Sequence, residues 1–73
     1  MGMRELAIQA MGMRNANKTP AEIRVFLWDG VNALGLEQGS VMAEHGDEKA
    51  YEMRLGSETI AYSERDGYSY RTG

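Results

Sequence analysis

The run Glu44-His45-Gly46-Asp47-Glu48 gathers the only histidine of the chain and three carboxylates into five consecutive residues. Imidazole and carboxylate groups are what hold a zinc ion or move a proton as a general base. The spacing argues against both uses. A helical metal motif such as HExxH sets its ligands on one face of a helix, whereas this run is contiguous and holds a glycine. A general base needs an oriented partner and a pocket, and nothing in the run supplies either. The segment therefore reads as a solvated acidic loop. Ser40, Ser57, Ser63 and Ser69 lie in no nucleophile-elbow context. No P-loop and no GxGxxG occurs. A chain of 73 residues also has little room for a pocket of roughly 300 Å³ or more. The expectation is a non-enzymatic protein with no catalytic residue, no metal and no cofactor.

The second chemically suggestive group is aromatic. Tyr51, Tyr62, Tyr68 and Tyr70 all fall in the last third of the chain. A base-stacking platform needs exposed aromatics interleaved with basic residues. Here Glu52, Glu58, Glu64 and Asp66 are interleaved. The tyrosines are read instead as the inner layer of a sheet, with hydroxyls reaching the edge of the core.

These residues must be positioned by a small set of elements. Met3, Leu6, Ala7, Ala10 and Met11 recur at helical spacing and mark a first helix, weakened by Gly12 and ended by Asn15-Ala16-Asn17. Thr19-Pro20-Ala21-Glu22 is a helix start: threonine caps, proline occupies the first position, and Glu22 can complete a capping box. Ile23, Phe26, Leu27, Gly30, Val31 and Leu34 then form one apolar stripe. Gly35 is expected to end this second helix in a left-handed conformation, with Leu36 folding back over the last turn. Ala21, Val25 and Trp28 project to the opposite side. Either helix two is central, between helix one and the sheet, or Val25 and Trp28 form an exposed contact patch. Residues from Ser40 to Gly46 could form a turn of helix capped by Ser40 or a short extended piece; a turn of helix or an ordered loop is the one expected.

Tyr51, Met53 and Leu55 alternate with Glu52 and Arg54, the mark of a half-buried strand. A two-residue turn at Gly56-Ser57 pairs Leu55 with Glu58, Met53 with Ile60 and Tyr51 with Tyr62. The next turn has two registers. A two-residue Asp66-Gly67 turn sends Tyr68 and Tyr70 to the face away from Tyr62. A three-residue Arg65-Asp66-Gly67 loop with positive φ at Gly67 pairs Glu64 with Tyr68 and Tyr62 with Tyr70. The second separates apolar from polar side chains better and is the one expected. The fold class is thus α+β: two N-terminal helices packed on a C-terminal three-stranded antiparallel meander, in one domain spanning residues 1–73.

Charge narrows the partners. Residues 1–35 carry four basic and three acidic side chains, residues 36–73 four and eight. The acidic half would repel a phosphate backbone. No apolar run is long enough to span a membrane, and Glu5 and Gln9 interrupt the N-terminal segment where a signal peptide is apolar. Absent cysteine fits a reducing compartment, the cytoplasm. A core this small gains from oligomerisation or from a larger partner.

The function expected is protein binding by an inhibitor or adaptor. Small acidic cysteine-free chains of this kind are common among phage and mobile-element proteins, an analogy of size and composition only. Two surfaces could carry it. Val25 and Trp28 could anchor an interface, including a homodimer through helix two. Glu37, Glu44, Asp47, Glu48 and Glu52 could meet a basic patch on a larger protein, one that itself binds nucleic acid, or serve solubility alone. The alternative is a degenerate winged-helix DNA binder, whose recognition helix would have to come from Ser40–His45, a stretch without Lys or Arg.

Overall fold

The computed structural model describes all of residues 1–73. Two helices, α1 (Met3–Asn15) and α2 (Pro20–Gln38), precede four strands: β1 (Ala43–Gly46), β2 (Ala50–Leu55), β3 (Glu58–Ser63) and β4 (Gly67–Thr72). The strands form one antiparallel sheet in the order β1-β2-β3-β4. The α+β class with two leading helices stands. The strand count is four, not three.

α1 buries Met3, Leu6, Ala7 and Ala10 and leaves Met11 exposed. Asn17, at φ 63°, turns the chain out of the helix, a conformation Asn tolerates better than most residues. Thr19 then accepts a hydrogen bond from the Glu22 N–H at 3.1 Å, with Pro20 at the first helical position. This satisfies one of the orphan donors of the helix start.

α2 does not end at Gly35. It continues through Leu36, Glu37 and Gln38 to Gly39, which takes the left-handed conformation at φ 70°. The Ser40 N–H closes the end by donating to the Gly35 carbonyl at 2.8 Å, the six-to-one bond of a Schellman cap. Gly35 is helical and buried, and a Cβ there would stand 2.7 Å from the Ser40 carbonyl oxygen. One glycine thus provides close approach and the other the left-handed turn.

The helices lie side by side on one face of the sheet. α1 packs on β3 and β4, and α2 packs on β2. The arrangement with helix two sandwiched between helix one and the sheet is therefore not adopted. The helices meet closely at Gly30, where a Cβ would come within 2.7 Å of the Leu6 side chain. Between helices and sheet sits one core: Ile23, Leu27, Val31 and Leu34 of α2 close on Tyr51, Met53, Leu55, Ile60, Tyr62 and Tyr68.

The first hairpin has the expected register, with Leu55 opposite Glu58, Met53 opposite Ile60 and Tyr51 opposite Tyr62. The second is displaced. Ser63 pairs with Gly67, Tyr62 with Tyr68 and Ile60 with Tyr70, so Tyr70 does not face Tyr62. Ser63 is the reason: its hydroxyl accepts from the Asp66 N–H at 2.9 Å and moves the three-residue loop back by one position, to Glu64-Arg65-Asp66. Gly67 has positive φ, 79°. The shift is two residues, so every side chain keeps its face.

The segment expected as a turn of helix or an ordered loop is instead extended: it contributes β1, paired along its length with β2. Its turn is built by Asp47, whose Oδ1 accepts from the N–H groups of Lys49 and Ala50.

Candidate functional site

α2 has a second apolar face. Ala21, Val25, Trp28, Asn32 and Leu36 follow one another at spacings of three or four, which places them within about a quarter-turn of helix. They face away from the core. Val25 is 60 % exposed, Trp28 47 % and Leu36 86 %. Val41, just beyond the helix, is 91 % exposed and shares a shallow groove of about 220 Å³ with Asn32, Leu36, Ser40 and Met42. Asn32 interrupts the stripe with an amide, but its Nδ2 donates to the Trp28 carbonyl at 2.9 Å. One of its two N–H donors is thus satisfied within the helix.

The stripe borders β1, an edge strand. Arg24 reaches from α2 toward it. Its Nε lies 3.5 Å from Oε2 of Glu44, and its guanidinium stands 4.8 Å from the centre of the Tyr51 ring. The ring face attracts the cation and fixes where the ion pair sits. Glu44 is an inward-pointing charge on an edge strand, a device that discourages further strand pairing. Arg24, Val25, Trp28 and Glu44 line a groove of about 230 Å³ between α2 and β1. It continues into a depression of about 460 Å³ lined by Pro20, Ala21, Arg24, Val25, Glu48, Lys49 and Glu64.

The seven expected contact residues thus divide among three places. Val25, Trp28, Glu44 and Glu48 come together along the α2–β1 groove, with Asp47 in the adjoining turn. The Asp47 carboxylate is held below its ordinary pKa by the two backbone N–H groups it accepts. Glu52 lies on the other face of the sheet, 2.6 Å from Arg71 Nη2. That hydrogen bond and charge lower its pKa as well. Glu37 stands near the end of α2, beside a small groove with Met1, Leu6, Gly30, Ala33 and Leu34. The acids therefore do not form one continuous patch.

Sequence reasoning left out Glu64 and Val41, and it placed Leu36 over the end of α2, whereas Leu36 is helical and 86 % exposed. Glu64 joins the rim because its N–H donates to the Lys49 carbonyl at 3.0 Å, tying the β3–β4 loop to the β1–β2 turn. No local pattern announces that contact. Leu36 was legible at helical spacing from Trp28, once α2 is allowed to run past Gly35.

The strand separates His45 from its acidic neighbour. His45 is exposed on the outer face of β1, opposite Glu52, while Glu44 points to the helix side. No three His, Asp or Glu side chains converge to hold a metal ion. Tyr51, Tyr62 and Tyr68 form a buried row, with ring centres 5.2 and 4.6 Å apart. The hydroxyls of Tyr51 and Tyr68 do not reach water as expected; both are buried without a hydrogen-bond partner. Burial pushes both phenols above their ordinary pKa. Tyr70 is half-buried and donates to Glu58 at 2.6 Å.

No helix is long and apolar enough to cross a membrane. The chain matches no protein-family profile, no curated protein and no solved structure.

Proposed function

We propose that this chain is a non-enzymatic binding protein, an inhibitor or adaptor working in the cytoplasm, whose contact surface is the outer face of α2 with its acidic rim. The observation that carries this is the exposure of Val25, Trp28 and Leu36 on the side of α2 opposite its core stripe. Apolar residues scattered singly on a surface need no explanation, but Val25 and Trp28 adjoin on one turn of the helix, and an exposed tryptophan beside another apolar side chain suits an interface anchor. Glu48 and Glu64 edge the same groove. The partner is a larger protein with an apolar anchor point ringed by Lys or Arg, such as a nucleic-acid-binding surface. The acids steer its approach while the tryptophan supplies affinity.

The DNA-binding alternative draws less support. Its recognition helix would have to come after α2, and the next element is a strand.

The test is affinity capture from the cells that make the protein, read by mass spectrometry, with wild type and Trp28→Ala side by side at low and high salt. The expected result is one basic protein held by the wild type, released by salt and lost in the variant. Equal capture by both forms would sink the proposal. So would retention of duplex DNA by the purified chain at low salt.

A further inference from the structure

We infer that the free edge of β4 takes up an extended segment of a partner protein as an added antiparallel strand. That segment carries apolar side chains on its helix side and an acidic residue near its C-terminal end. The inference does not rest on the outer face of α2; it concerns the opposite edge of the sheet and a different mode of contact. Backbone geometry, the overhanging flank of α1 and charge point to this occupant.

The two edges of the sheet differ. β1 is four residues long and guarded by the inward-pointing Glu44, which discourages further pairing. β4 is six residues long, without proline or bulge. Its one charged side chain, Arg71, reaches back across β3 to Glu52 at 2.6 Å and is drawn away from the edge. The Gly73 N–H donates to the Ser57 carbonyl. Backbone groups alternate sides along an antiparallel strand, so Gly67, Ser69 and Arg71 bond to β3, while Tyr68, Tyr70 and Thr72 turn their N–H and C=O groups outward. β4 has no neighbour on that side, and no turn or loop bonds to these groups. Such a row is a template for an extended chain.

α1 overhangs this edge. It packs on β3 and β4, with the Arg14 guanidinium directly over Gly67 and with Arg4 and Glu5 close to the Tyr70 phenol. The helix thus runs antiparallel to β4. Leu6 marks the flank turned to Gly30 of α2. Arg4, Ile8 and Met11 lie about 140–160° round the helix from Leu6, on the flank away from α2 and above the β4 edge. Ile8 is 54 % exposed and Met11 38 %. In an added strand, the residues opposite Tyr68 and Tyr70 point to the helix side. They meet Ile8 and Met11 and are apolar. Those between them lie beside the exposed Ser69 and Arg71 and are polar.

Charge places the acidic residue. Arg24 and Arg71 are paired with carboxylates, whereas Arg14 is in no ion pair. Arg4 is in none either, but Glu5 stands beside it near Tyr70. Arg14 is the unopposed cation at the edge. A strand laid antiparallel to β4 has its C-terminal end near Gly67, beneath Arg14, and an acidic side chain there gains a charge-assisted hydrogen bond.

A second copy of the chain fits this edge less well. β4, Gly-Tyr-Ser-Tyr-Arg-Thr, contains no acid. A second β4 laid antiparallel against the first brings its own Arg71 to the Arg14 end, and like charges facing each other across strands are unfavourable.

Selection from a library of random peptides displayed on phage, with the full chain as bait, tests this. The expected result is a set of binders that alternate apolar and polar residues and carry Asp or Glu near the C-terminal end. Synthetic copies should bind more weakly as salt is added. Ile8→Glu and Arg14→Glu should each weaken binding at least about tenfold. Thr72→Pro should weaken it too, by removing an outward N–H that the β3 ladder does not use. Far-UV circular dichroism should show the variants folded. Methylation of alternate peptide nitrogens should abolish binding in one register, where they face β4, and spare it in the other. A library that yields no binder overturns the inference. So do binders that the three variants leave unchanged, and binders that tolerate methylation in both registers. A wild-type dimer that Thr72→Pro dissociates gives the edge to a second copy and overturns it as well. Trp28→Ala should bind the peptides as the wild type does. Loss of binding there, with Ile8→Glu unaffected, would remove the β4 site and keep the α2 contact face.

Discussion

The two faces of α2 are built from similar residues and meet opposite fates. Ile23, Leu27, Val31 and Leu34 are buried to 7 % exposure or less. Val25, Trp28 and Leu36, on the same helix, are 47–86 % exposed. The difference lies in what stands opposite each face. The inner stripe has β2 and α1 against it. The outer stripe looks past β1, which reaches α2 only through the Arg24–Glu44 pair. Periodicity shows that a helix face is apolar. It does not show whether this chain or another molecule covers it.

Leu27 is where the inner face has most to lose. Leu27→Ala removes a fully buried side chain and should cost about 2–5 kcal/mol, enough to unfold much of a domain this small, as read by thermal melting. Glycine substitutions probe the same contrast at smaller scale. A Cβ at Gly30 meets Leu6 at 2.7 Å. Such overpacking costs about 1–3 kcal/mol and outweighs the roughly 0.5–1 kcal/mol by which Ala exceeds Gly as a helix former. Gly30→Ala should therefore lower the melting temperature. Gly12 has nothing within 4 Å of its would-be Cβ, so Gly12→Ala should stabilise by about 0.5–1 kcal/mol. The same sign at both positions would mean that the covered and open faces are misassigned.

The same contrast explains which parts of the fold could be read from sequence. The start of α2 was legible because Thr19, Pro20 and Glu22 act locally. The first hairpin was legible because alternation and turn chemistry agree on one register. The end of α2 was not, because Gly35 and Gly39 both suit a left-handed cap and only the approach of Ser40 separates them. β1 was hidden because its helix-side position is Glu44, whose partner Arg24 lies twenty residues earlier. The second hairpin kept its faces but slipped by two residues, since the Ser63 hydroxyl outweighed the expected loop. Of the site, Val25 and Trp28 were visible as a second apolar face. The meeting of Glu48 with Glu64 depends on two loops joining in space.

Thr19 and Tyr51 act on α2 and the sheet from outside the two stripes. Thr19→Ala removes the cap that supports both faces of α2 equally and should cost about 1 kcal/mol; an unchanged melting temperature would put the helix start elsewhere. Tyr51→Phe removes a buried hydroxyl that lacks a partner and should be neutral or stabilising by up to about 1 kcal/mol. Its pH dependence has a definite sign. In the unfolded chain a tyrosine ionises near pH 10, while burial holds Tyr51 neutral well above that. The native state then binds more protons than the unfolded state, so stability is intact below about pH 10 and falls as pH rises above it. Urea midpoints on either side of that pH should drop less steeply for Tyr51→Phe than for the wild type.

The smallest expected effect on stability belongs to the largest side chain. Trp28 keeps nearly half its surface in water and belongs to no part of the core cluster. Truncating an exposed residue away from caps, cores and buried polar groups usually changes folding stability by no more than about 0.5 kcal/mol. Trp28→Ala should therefore melt within a few degrees of the wild type when both are measured dilute, where self-association does not contribute. If native copies associate through this face, the wild type alone gains stability as concentration rises, because binding between native chains shifts unfolding by mass action. A gap between the two melting curves that opens with concentration would assign Trp28 to an interface. A loss of several kcal/mol in dilute solution would instead place Trp28 among the residues that hold the monomer together, and the outer face of α2 would then be part of the core.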